Sequence, residues 1–242
     1  MIRYISLVVL FFSIIGLAQT QKDLDKLYEL DQKGKYSEVI NESTRLIKLY
    51  PEGANVYYCY YMRGFSYMES ENYYKAEPDL KKCVELNPKW VHGLNDLYVL
   101  YFETEEYGKA IPLIKKVINM RDKPIDHHDL GFAYFRTNDF QNSIKSYSNY
   151  LNTGVGDDEI YFKRLALYER GKAKNSLQKG RGCDDVSSAL QKAYVESKYY
   201  PSSLYMLEFK SLDYATKNGC ITYRTADIYE KAMRKAYKNV FR

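Results

Sequence analysis

One pattern is written twice between Tyr57 and Pro124. Tyr60, Arg63, Gly64, Tyr67, Ala76, Leu80, Cys83 and Pro88 answer to Leu94, Leu97, Tyr98, Tyr101, Ala110, Ile114, Val117 and Asp122, each 34 residues on. Pro78 and Pro112 keep the same offset. A fixed period of this size is that of a helical hairpin that buries its apolar face only by stacking on copies of itself. It predicts an all-α chain of antiparallel helix pairs, with Pro78 and Pro112 early in the second helix of each pair, where a missing N–H is tolerated.

The pattern extends in both directions. Leu130-Gly131-Phe132-Ala133-Tyr134 restates the first-helix core 33 residues after its previous copy, and Phe140, Ser143, Tyr147 and Tyr150 follow as the second helix. Before it, Leu24, Leu27, Tyr28 and Leu30 recur at helical spacing, Gly34-Lys35 breaks the helix, and Tyr36, Val39, Ser43 and Leu46 open another that Pro51 ends. An aromatic residue opens every second helix: Tyr36, Tyr73, Tyr107 and Phe140.

Four units in register resemble the tetratricopeptide repeat family. The resemblance covers residues 20–157, as repeats at about 20–56, 57–90, 91–123 and 124–157, and implies a right-handed superhelical solenoid. Close packing explains the pattern: Gly64 and Gly131 let two helices approach, Ala76, Ala110 and Ser143 keep the facing site small, and Tyr67, Tyr101 and Tyr134 fill the space between hairpins. Tyr98 stands where the family has a small residue, so the third hairpin is expected to open slightly. Residues 158–242 keep helical spacing at Tyr161, Leu165 and Tyr168, then at Val186 and Leu190, with Gly171 to Gly182 lengthening the turn. They read as degenerate repeats capping the stack, or as a separate small helical domain.

In the family, the inward positions of the first helices line a concave groove that holds a peptide or a partner helix. Carried over, these are Tyr58, Tyr61, Phe65 and Met68, then His92, Asn95, Val99 and Phe102, then His128, Phe132 and Phe135. The groove so implied is mostly aromatic, as binding hot spots are; the other account of the stripe is internal packing. The expected partner is therefore a protein or peptide, and the expected role a non-catalytic scaffold. A structural subunit working through its convex face or C-terminal cap is the alternative, and an enzyme with a His/Asp site ranks last.

The net charge of +5 is spread without a basic run, which argues against nucleic acid as a ligand. Residues 1–18 read as a signal peptide: Arg3, an apolar stretch from Ile5 to Leu17, then Gly16-Leu17-Ala18 before polar residues. Cleavage there yields an exported chain, periplasmic or extracellular, with no membrane span; retention as an anchor is the lesser alternative. Export permits disulfides, and Cys59, Cys83, Cys183 and Cys220 allow two. Cys59 with Cys83 would clamp the second hairpin and Cys183 with Cys220 the C-terminal cap, the first pair being equally readable as buried thiols. His92, His127 and His128 lie close in sequence without a metal-binding spacing, so neither a metal nor a cofactor is expected. No nucleophile elbow or phosphate-cradling loop occurs.

Overall fold

A computed structural model describes residues 21–153, 160–196, 205–222, 225–226 and 228–231. The expected signal peptide, residues 1–18, and Ser202, Ala232 and Ala236, which the sequence spacing assigns to the last helices of the cap, lie outside these. Every regular element among the described residues is helical: α1 (21–32), α2 (Tyr36–Leu49), α3 (Val56–Glu69), α4 (Tyr73–Leu86), α5 (Val91–Glu103), α6 (Tyr107–Arg121), α7 (Pro124–Arg136), α8 (Phe140–Asn152), α9 (Ile160–Leu177), α10 (Cys183–Glu196) and α11 (Tyr205–Lys217). The chain divides into two units, residues 1–113 and 114–242, the division falling inside α6.

The turns within hairpins share one construction. Gly34, Glu71, Glu105 and Asn138 each adopt positive φ, between 55° and 65°. In each case the next residue's N–H reaches back five residues: Lys35 to Leu30, Asn72 to Tyr67, Glu106 to Tyr101 and Asp139 to Tyr134, at 2.7–3.0 Å. This is the Schellman ending, in which a left-handed residue lets the backbone satisfy the last carbonyls of a helix. The shared turn also fixes the place of the recurring aromatic, since Tyr36, Tyr73, Tyr107 and Phe140 are the first residues of α2, α4, α6 and α8. Gly219 after α11 repeats the device, with Cys220 N–H bonded to the Ala215 carbonyl at 2.8 Å.

In the first unit, Leu24, Leu27, Val39, Leu46, Cys59 and Met62 form one core, with Tyr58 and Tyr61 packed against it. A Cβ on Gly64 would meet Leu80 Cγ at 2.9 Å, so this glycine sets how closely α3 approaches α4. Tyr98 is buried, its ring 5.7 Å from that of Phe102. Pro78 and Pro112 are carried inside α4 and α6. In the second unit Gly131 plays the part of Gly64: a Cβ there would lie 2.9 Å from the ring of Tyr147, which is fully buried with Tyr150 and Ala166. Ser143 Oγ donates to the Gly131 carbonyl at 2.9 Å, so the small facing residue also ties the two helices.

Buried ion pairs, invisible to an apolar pattern, add a second link. Arg63 of α3 binds Asp79 of α4 through both Nε and an Nη at 2.7 Å, while its other Nη donates to Thr44 Oγ1 of α2 at 3.0 Å. Arg170 of α9 repeats this with Asp185 of α10 at 2.8 Å and Ser148 of α8 at 3.1 Å. The hairpin α9–α10 is thus built like α3–α4, with Gly171 held against Val186. The stretch 171–182 expected as a long turn is helical as far as Leu177. Past it, Tyr168, Val186, Ala189, Leu190, Leu212 and Ala215 form a further core.

Candidate functional site

In the first unit the stripe on α3 is neither buried nor fully exposed: Tyr58, Tyr61, Phe65 and Met68 are all half-buried. Tyr61 and Phe65 stack at 5.9 Å. From α5, Asn95, Val99 and Phe102 are half-buried and His92 is exposed. Two residues absent from the sequence-derived stripe join these helices. Trp90, immediately before α5, meets the rings of Tyr61 at 4.4 Å, Tyr57 at 5.2 Å, Tyr58 at 5.9 Å and His92 at 5.7 Å. Asp96 accepts a hydrogen bond from the Tyr61 hydroxyl, bridging α5 to α3.

The face carries negative charge. Burial pushes the Asp96 carboxyl above its ordinary range, and nearby Glu69 pushes in the same direction. Burial likewise raises Asp31, with Glu69 again contributing. Asp31 Oδ1 is buried with no hydrogen-bond partner among the described residues. The phenol of Tyr58 is pushed up to about 12, by burial first and then by the charge of Asp31, and that of Tyr61 is raised for the same kinds of reason. Glu69 is exposed and accepts from the Tyr36 hydroxyl at 3.2 Å. Rings and carboxylates together can hold an extended apolar segment and orient its polar groups.

The second unit treats its stripe differently. Lys172 of α9 places its ammonium 4.7 Å from the Phe135 ring and 5.1 Å from that of Tyr168, and pairs with Glu169 at 3.4 Å. Arg136 lies over Phe132 at 5.7 Å. His128, expected to line the groove, is instead 6% exposed and contacts the rings of Tyr147, Tyr150 and Phe162 edge-on at 5.5–5.7 Å. The large rings of α8 and α9 close over it.

The histidines are engaged separately. His127 Nε2 lies 2.8 Å from an Asp122 carboxylate oxygen, His128 Nδ1 lies 3.3 Å from Asp129, and His92 flanks Trp90. Among the described residues no group of three His, Cys, Asp or Glu side chains could hold a metal.

Cys183 and Cys220 form a disulfide, joining the start of α10 to the turn after α11 with their Cα atoms 4.7 Å apart. Cys59 and Cys83 do not pair, which corrects the expected clamp on the second hairpin: both are buried free thiols. They point to opposite sides of the hairpin. Cys59 packs into the core shared with α1 and α2, whereas Cys83 Sγ faces Gly93 of α5, 2.9 Å from where a Cβ would stand. Burial raises these thiols to about 11 and about 12.

Trp90 carried one signal in the sequence, as the sole tryptophan among 27 tyrosines. It escaped because only positions within the first helices were read as groove-facing. Asp96 stands out in the sequence only as an acid near the histidines, and nothing in its spacing ties it to Tyr61.

Residues 57–90 match the family described as tetratricopeptide repeat. No curated protein matches in sequence. Solved structures share the fold. YrrB, described as a TPR protein with an unusual peptide-binding site, has 13% identity and a TM-score of 0.63, over 78% of this chain and 90% of that one. MamA protein has 20% identity and a TM-score of 0.60, over 74% and 94%. A tetratricopeptide repeat protein from Parabacteroides merdae has 11% identity and a TM-score of 0.55, over 89% and 98%. Identities this low carry the fold alone.

Proposed function

We propose that this chain, a tetratricopeptide repeat protein by its matched repeat and its fold, is an exported, non-catalytic scaffold that binds a protein or peptide along the aromatic face of α3 and α5. Its fold is that of proteins whose general role is protein–protein interaction. One observation carries the finer reading: a continuous set of rings, Tyr58, Tyr61, Phe65 and Trp90, stays half-exposed although it sits on a packed core. Rigid aromatics of this kind contribute large contact area at low entropy cost. Binding buries the exposed part of each ring, and Asn95, His92 and Glu69 select among segments by their polar groups.

Export is supported by the apolar run of residues 5–17 and by the Cys183–Cys220 disulfide, which suits an oxidising compartment. No helix among the described residues is long and apolar enough to cross a membrane. Cell fractionation, with N-terminal sequencing of the recovered chain, tests this: a mature end near Gln19 in the exported fraction is expected, and an intact Met1 end in the cytoplasm would refute it.

Crosslinking in the native cell, followed by purification, tests the binding face. The unaltered chain should retain a partner that the Tyr61→Ala, Phe65→Ala double variant loses while keeping its helical circular dichroism. Undiminished capture by the double variant would end this reading. It would favour the surface around α4 instead, where Tyr74 is 90% exposed beside a cleft of about 570 Å³ lined by Arg63, Tyr67, Lys75 and Pro78.

A further inference from the structure

The two units show one chemistry in two states. In the second, rings and a carboxylate already enclose a cation: the Lys172 ammonium sits over Phe135 and Tyr168 and pairs with Glu169. In the first, among the described residues, rings and carboxylates are assembled with no lysine or arginine; the basic group beside them is the exposed imidazole of His92, which flanks Trp90 and lies near Asp96. Among the described residues, no lysine or arginine lies over Tyr58, Tyr61, Phe65 or Trp90, although Tyr60, Tyr67 and Tyr101 elsewhere in the same unit each carry one. Nor, among the described residues, do Asp31, Glu69 and Asp96 form an ion pair with a lysine or arginine, while Glu42, Glu77 and Asp79 nearby all do.

Resting on the groove reading above, we infer that the partner presents a lysine or arginine side chain, which seats its cation against Trp90 and Tyr61 with Asp96 as counter-ion and Asp31 and Glu69 alongside. Each ring offers the negative face of its π-system, and tryptophan offers the strongest. The carboxylates make the site select a cation over a neutral chain of the same shape. The free protein holds Asp96 and Asp31 partly desolvated near Glu69, a cost visible in their raised pKa values. A bound ammonium or guanidinium offsets it. The partner segment therefore combines apolar side chains, which cover Phe65 and Phe102, with a basic one.

Trp90 is the only tryptophan, so its emission reports on this place alone. The full chain, disulfide intact, is titrated with three blocked octapeptides: alternating leucine and lysine, the same with every lysine Nε-acetylated, and alternating leucine and glutamate. The lysine peptide should shift Trp90 emission and bind about tenfold more tightly than the acetylated one, the size of a ring-and-carboxylate contact to one cation. The glutamate peptide should bind more weakly still. Asp96→Asn should remove the tenfold preference and leave the acetylated peptide's affinity unchanged. Glu69→Gln, at an exposed position, should reduce the preference without touching the fold. Equal affinities for the lysine and acetylated peptides would overturn the inference while leaving a peptide groove standing. Unchanged Trp90 emission with all three would overturn both.

Discussion

Replacing Gly131 by alanine asks whether this glycine is there to let two helices touch. The substitution adds one methyl group inside α7, where helix propensity alone would gain about 1 kcal/mol. The new Cβ would stand 2.9 Å from both Cγ and Cδ1 of Tyr147 and 3.0 Å from Cε1, facing a flat ring with no free rotamer to turn into. Tyr147 is fully buried and backed by the edge of His128. Ordinary contact therefore requires α7 and α8 to part by several tenths of an ångström. Forcing a methylene into such a site costs about 2–3 kcal/mol, so the net loss is about 1–2 kcal/mol. Gly108 is the matched control. It lies in the first turn of α6 with nothing within 4 Å of its would-be Cβ, so alanine there should stabilise by about 0.5 kcal/mol. Urea unfolding followed by circular dichroism at 222 nm measures both. The same chemical change should thus have opposite signs at the two positions. A Gly131→Ala chain as stable as the parent would show that the hairpin does not rely on close approach at this point.

Other outcomes follow from the turns, the clamps and the cysteines. Glu71→Gly and Glu105→Gly should each stabilise by about 0.5–1 kcal/mol in thermal melts, because both residues hold left-handed backbone that glycine adopts freely. Arg170→Met should destabilise by about 2 kcal/mol in urea, since it removes the bidentate partner of Asp185 and leaves that carboxylate only Lys174, at 2.7 Å. Burial alone would raise the Asp185 pKa, but hydrogen bonds and charge from Arg170 and Lys174 together hold it below its ordinary value. Its contribution is therefore complete above the unfolded carboxyl pKa of about 4 and fades as pH falls through the lower folded value, so Asp185→Asn should flatten the acid limb of a stability–pH curve. Cys183→Ser with Cys220→Ser should cost about 4 kcal/mol by loop entropy across the 37-residue separation. Cys59 and Cys83 should resist a thiol reagent at pH 8 until the chain unfolds, as burial keeps both protonated.

The helices up to α8 were legible because their cores repeat at a near-constant interval, and apolar residues at fixed spacing are what a periodic reading detects. The hairpin α9–α10 was less so, for a physical reason. Its defining link, Arg170 with Asp185 and Ser148, is polar, and such residues read as solvated surface until burial reveals them. The longer connection before α9 also shifts the interval, from 19 residues between Thr44 and Arg63 to 22 between Ser148 and Arg170. At the site, the α3 stripe could be read from spacing, but ring-on-ring burial of His128 could not. It depends on Tyr147, Tyr150 and Phe162 being large where other repeats carry smaller residues. Spacing alone could not choose between a clamp and two buried thiols at Cys59 and Cys83, because proximity within one hairpin says nothing of which side each faces.

The arginine clamps also bear on how such a chain could lengthen or shorten. Arg63 and Asp79 both belong to one hairpin, and so do Arg170 and Asp185; what each borrows from the hairpin before it is only a hydroxyl, from Thr44 or Ser148. At these two clamps charge is balanced inside the hairpin, and the link across the joint is neutral. A duplicated or deleted α3–α4 or α9–α10 hairpin would therefore carry both partners of its clamp with it. The joint between α6 and α7, where fully buried Asp126 pairs with Arg121 of the preceding hairpin, would instead strand a charge if cut. The clamp makes the hairpin a portable cassette, which a cross-module ion pair would not.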